Sequence, residues 1–131
     1  MITITSQDDR TPLKINKQLL YEYKDECDTY LVSIKRELTR ALVDYKLFQQ
    51  LQQVNNSFFI IIDYLDTERY TVFKELKDHK VDLNNDINIF TKNCRGKIPN
   101  SIFRNIYYNL DKLMLTINKL IEIVYEVNER N

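Results

Sequence analysis

Side chains suited to catalysis or metal binding are sparse in this chain: one histidine, two cysteines and carboxylates spread along its length. His79 stands in the charged run Lys77-Asp78-His79-Lys80. A catalytic base needs an orienting partner, and a metal site needs several convergent ligands. Glu75 precedes His79 by one helical turn on the same face, which gives a modest surface pair at most. The Arg–His pairing of helical ribonucleases is missing, because the nearest upstream arginine is Arg69. His79 therefore reads as a surface residue. Cys27 and Cys94 fall on apolar stripes, where free cysteine packs as a small hydrophobe. A fold-back near residue 55 sets Cys27 level with about residue 83 and leaves Cys94 roughly 16 Å further along, beyond disulfide reach. Glu22 and Glu26 share a helix face but lack the Glu-x-x-His partner of a carboxylate metal site. A single glycine leaves no phosphate-cradling loop, dinucleotide fingerprint or nucleophile elbow. The expectation is a protein that is not an enzyme, with no catalytic, cofactor-binding or metal-ligating residue and no small-molecule substrate.

Charge supplies the first candidate site. Formal net charge is zero, nineteen basic against nineteen acidic residues, which predicts neither nucleic acid nor an anionic membrane as partner. Locally the balance breaks. From Ile87 to Leu110 there is no acidic residue, while Lys92, Arg95, Lys97 and Arg104 all lie there. In an up-down-up arrangement this turn shares an end with the start of the first helix, adding Arg10, Lys14 and Lys17. Lys14, Lys17, Lys92, Arg95, Lys97 and Arg104 form the candidate anion- or partner-binding set, diluted by Asp8, Asp9 and the run Glu22, Asp25, Glu26, Asp28. Nine tyrosines supply the second. Tyrosine suits places where one end of a side chain is dry and the other wet. Tyr21, Tyr64, Tyr70 and Tyr108 lie off or at the edge of the main stripes, and Tyr64, Tyr70 and Tyr108 are the candidate interface residues.

The elements that must position these groups are helices. With one glycine and two prolines in 131 residues, the chain lacks the turn formers that strand-rich folds need. Thr11-Pro12 is a capping signal for the first helix. Its stripe runs Leu20, Tyr23, Cys27, Tyr30, Ile34, Ala41, Tyr45 and Phe48, widened by Leu31, Leu38 and Leu42, and is expected to end near Asn55-Asn56. Ser57 caps a second stripe of Phe58, Ile62, Leu65, Phe73, Leu76, Leu83, Ile87, Phe90 and Cys94, with Gly96 as its C-terminal cap. Arg69 and Lys80 interrupt that register, so the helix either continues with both side chains reaching to solvent or breaks near 81–85, at Asn84-Asn85-Asp86. Phe58 to Ile62 also reads as a buried strand, but Ile2 and Ile4 are its only counterpart, and two isolated strands make no stable sheet. Pro99 and Asn100-Ser101 open the last helix. Its seam of Phe103, Ile106, Leu110, Leu113, Ile117, Leu120, Val124 and Val127 alternates three and four, as coiled-coil packing requires, and Tyr107, Met114 and Ile121 flank it.

The fold expected is all-α: an elongated up-down-up three-helix bundle with coiled-coil-like packing, or four helices if the middle one breaks near 81–85. Residues 1–10 form a flexible N-terminal arm, and 11–131 a single domain large enough to hold a core without staples. No apolar run approaches a membrane span and Met1 to Thr5 is no signal peptide, so a cytoplasmic protein without a membrane partner is expected. The functional expectation is a non-enzymatic helical protein-interaction module: an adaptor, inhibitor or assembly subunit, as a hetero- or homo-oligomer. The alternative is a small helical subunit of a nucleoprotein complex, contacting RNA or DNA phosphates through the basic end.

Overall fold

The computed structural model describes residues 10–11, 15–66 and 71–129, with the side chains of 15–66 and 74–124. Among the described residues the fold is helical, with four helices: α1 (Lys17–Ala41), α2 (Tyr45–Asp66), α3 (Phe73–Cys94) and α4 (Asn100–Glu129). Two short extended segments, β1 (Arg10–Thr11) and β2 (Thr71–Val72), pair antiparallel with Arg10 opposite Val72 and Thr11 opposite Thr71.

Cross-helix bonds fix the relative directions of α1, α2 and α3. Lys17 at the start of α1 donates to the Asp66 carboxylate at the end of α2 at 2.8 Å. Ser57 near the middle of α2 donates to Asp86 near the middle of α3, and Tyr64 near the end of α2 donates to Glu75 near the start of α3 at 3.2 Å. α1, α2 and α3 therefore alternate in direction, and the short 95–99 turn folds α4 back from the end of α3 to lie along α1. α1 lies closest along α4 and α2 along α3, α1 and α2 are joined less closely, and α3 and α4 less closely still. The arrangement is up-down-up-down, with two tight seams, α1–α4 and α2–α3, a weaker α1–α2 seam and a loose α3–α4 seam.

The core follows the apolar stripes. Leu20, Cys27, Leu31, Ile34 and Leu38 of α1, Phe58, Ile62 and Leu65 of α2, and Leu76, Leu83, Ile87, Phe90 and Cys94 of α3 are all buried. On α4, Ile106, Leu110, Leu113, Ile117, Leu120 and Val124 are buried, with Phe103 partly so; the Val127 side chain lies outside the described residues. Phe58 to Ile62 is helical, within α2.

The boundaries differ from the sequence expectation in four places. α1 starts at Lys17, where the Asn16 side chain accepts from the Leu19 N–H, and Thr11 sits in β1. The first helix breaks at 42–44 and not near 55. Leu42 takes a left-handed conformation (φ 53°) and its N–H bonds the Thr39 carbonyl, and the Asp44 carboxylate then accepts from the Lys46 N–H. Asn55, Asn56 and Ser57 are interior to α2 because Gln52 donates to Asn56 and Ser57 bonds across to Asp86. The second long stripe breaks between Asp66 and Phe73, while α3 runs unbroken through 81–85. The four-helix count thus arises from two breaks the sequence did not mark. Lys80 is half-buried on α3, and Arg69 lies outside the described residues. Gly96 does take positive φ (78°) beyond the end of α3.

Candidate functional site

Groups that could do chemistry are occupied structurally. His79 packs its ring edge-on against Tyr64, centroids 5.5 Å apart, beside the Tyr64–Glu75 hydrogen bond. This small α2–α3 cluster holds Tyr64, one of the candidate interface residues, partly buried along a helix seam. Both cysteines are free and buried. Burial, aided by Glu26 and Asp28, pushes the Cys27 thiol up to about 12, and burial pushes Cys94 up to about 11. Both shifts disfavour the thiolate that nucleophilic or redox chemistry requires. Among the described residues, no three His, Cys, Asp or Glu side chains gather to hold a metal ion.

The six-residue basic set divides. In the four-helix arrangement the start of α1 lies at the end of the bundle opposite the α3–α4 turn. Lys17 donates there to both the carbonyl and the carboxylate of Asp66, at 2.9 and 2.8 Å, and Tyr21 donates to the same carboxylate at 3.1 Å. These bonds, the Lys17 bond first, hold the Asp66 carboxyl below its ordinary range. Lys17 is therefore separated from Lys92, Arg95, Lys97 and Arg104, and Lys14 lies outside the described residues. The extra turn at 42–44 brings replacements. Lys35, Arg36, Arg40 and Lys46 of α1 and α2 lie at the same end as Lys92, Arg95, Lys97 and Arg104, and all eight are exposed.

Only two carboxylates accompany them, Glu37 and Asp44. Glu37 is paired with Arg40 at 2.9 Å, and Asp44 caps α2. This end carries eight cations against two acids, a net of six positive charges, and the rest of the chain carries eleven against seventeen. The overall neutrality is a cancellation between this end and the rest of the chain. Sequence reasoning missed half of the cluster because Lys35 to Lys46 was assigned to the middle of a continuous helix.

The second surface is the loose α3–α4 seam, a groove of about 600 Å³. Ile87, Leu110 and Met114 line its floor, Val81 and Tyr107 its flanks, and Lys77, Lys80 and Asp111 its rim. Val81 and Tyr107 are 55% and 52% exposed. The side-chain amide oxygen of Asn118, a residue lining this groove, is buried and without a hydrogen-bond partner. Tyr108 points to the other side of α4, where it is exposed under the Lys112 ammonium, 5.2 Å from its ring centroid. Tyr70 lies outside the described residues.

Among the described residues, the fold and its surfaces define an up-down-up-down four-helix bundle with a loose α3–α4 seam and a strongly basic end. No known protein family, characterised protein or solved structure matches this chain.

Proposed function

We propose that the protein is a non-catalytic helical interaction module, and that its partner presents an amphipathic helix to the groove between α3 and α4. The observation that carries this reading is the open seam. α1 packs closely along α4 and α2 along α3, whereas α3 and α4 meet loosely and leave apolar side chains part-exposed along facing turns. From Lys77 to Thr91 the groove follows about 21 Å of α3 at 1.5 Å per residue, room for several turns of a partner helix packed ridge-into-groove. The unpartnered Asn118 oxygen offers an acceptor that an incoming donor would satisfy. Lys77 and Lys80 outnumber Asp111 on the rim and favour acidic flanks on the partner.

A photo-crosslinking residue at Asn88, in the groove, compared with one at Glu22, on the far side of the bundle, tests this in the native host. One protein captured at Asn88 and lost when Val81 and Met114 are both changed to Asp supports the reading. Equal capture at both positions, or capture unaffected by those changes, overturns it. The second reading, a nucleoprotein subunit, draws its support from the basic end alone, and the phosphate chemistry that end would recognise is shared by nucleic acids and lipid headgroups.

A further inference from the structure

The basic end carries at its tip an apolar side chain that packing does not explain. Leu42 adopts a left-handed backbone (φ 53°), a conformation that favours glycine because a Cβ crowds the neighbouring carbonyl oxygen. It is also 90% exposed, and Tyr45, three residues on, is 74% exposed. Arg40 and Lys46 flank this tip on α1 and α2, and Lys92, Arg95, Lys97 and Arg104 surround the companion turn at the same end. All six lie within about one helical turn of the bundle's end, with Lys35 and Arg36 roughly 9 Å behind them.

We infer that this end docks on the surface of an anionic lipid bilayer, with Leu42 entering below the headgroups, Tyr45 at headgroup level and the cations on lipid phosphates and carboxylates. Aromatic side chains favour the bilayer interface, and cations near an anionic leaflet each add attraction. Two features favour a bilayer over nucleic acid. A protruding aliphatic side chain gains from acyl chains and little from a phosphate backbone. The cations also ring a blunt end, where a strand-binding protein would line a groove with them. Zero net charge does not oppose docking. Glu22, Asp25, Glu26, Asp63 and Asp66 lie toward the other end, and beyond about 8 Å charges are largely screened at physiological salt. The inference is independent of the α3–α4 groove.

The chain contains no tryptophan, so Leu42→Trp installs a sole reporter at the tip, with circular dichroism confirming the helical fold. The whole protein is titrated with phosphatidylcholine vesicles, with and without phosphatidylserine. Expected are a blue shift and quenching by acyl-chain-brominated lipid only when phosphatidylserine is present. Cosedimentation of the unlabelled protein should weaken on the order of ten-fold for Leu42→Ser and be abolished when Lys92, Arg95, Lys97 and Arg104 all become Glu. Reporter emission unmoved by vesicles, or equal binding to both vesicle types, overturns the inference. Salt-sensitive binding to single-stranded RNA or DNA that exceeds vesicle binding and ignores Leu42→Ser also overturns it, in favour of nucleic acid.

Discussion

Leu38 and Leu42 stand one helical turn apart and share a stripe in the sequence, yet replacing each by glycine should move stability in opposite directions. Leu38 is fully buried inside α1. Truncating such a leucine costs about 2–5 kcal/mol, and a glycine within a helix adds about 1 kcal/mol, so Leu38→Gly should destabilise by about 3–6 kcal/mol. Leu42 holds a left-handed conformation (φ 53°) at 90% exposure. Relief of its backbone crowding returns about 1–2 kcal/mol. Against this stand about 0.7 kcal/mol for glycine's greater unfolded-state freedom and about 0.3 kcal/mol for the small area Leu42 buries. Leu42→Gly should therefore be stabilising by about 0.5 kcal/mol, with Leu42→Ala close to neutral. Urea denaturation followed by circular dichroism resolves both as midpoint shifts at constant slope. A loss of more than about 1 kcal/mol for Leu42→Gly would refute the reasoning, since it would mean that the side chain packs or that the turn is not left-handed.

Phe58 and Phe90 are fully buried, so Phe58→Ala or Phe90→Ala should each cost about 3–5 kcal/mol in the same denaturation assay. The Asp66 carboxyl titrates below its ordinary 3.8, held down first by Lys17 and then by Tyr21. Its contribution is present above the unfolded value and lost as pH falls through the lower folded one, so the stability gap between wild type and Asp66→Asn should narrow only in that acid window. With Cys27 raised to about 12 and Cys94 to about 11, iodoacetamide near pH 8 should leave both unmodified by mass spectrometry while the protein is folded and label both in urea. The same raised values mean that their protonated forms support the fold below the ordinary 9.0 and that this support is lost as pH climbs through 11 to 12.

The sequence revealed the helical class and most of the core because helical periodicity is a direct image of a buried face. Phe58 to Cys94 kept one register across two helices, so the residues of that stripe whose side chains are described are buried, Phe73 lying outside them, while the boundary between the helices was lost. Neither missed break carries glycine or proline. At 42–44 the chain turns through a left-handed leucine and the Asp44 cap, and nothing local marks a leucine as turn-forming. Asn55-Asn56-Ser57 looked like a turn, yet side-chain bonds one turn along and across to Asp86 keep it helical. That single misplaced break decided the basic site. A fold-back near 55 sends Lys17 toward Arg104, whereas a fold-back at 42–44 sends it to Asp66 and draws Arg40 and Lys46 to the basic end in its place. The Tyr64–His79 contact and the open α3–α4 seam depend on which helices become neighbours, which no local pattern encodes.

The segregation of charge along the bundle also gives this molecule a large permanent dipole at zero net charge. The six excess positive charges sit at one end of helices such as α1, which is about 37 Å long. The compensating excess of negative charge lies in the rest of the chain. Near its isoelectric point of about 6.6 the protein feels almost no net force in a uniform field and a strong torque. It should be retained at low salt by both cation- and anion-exchange resins, each gripping a different pole. Approach to any charged surface becomes an oriented event, in which the molecule turns its leading end forward before contact, and added salt slows that encounter as it would for a highly charged protein.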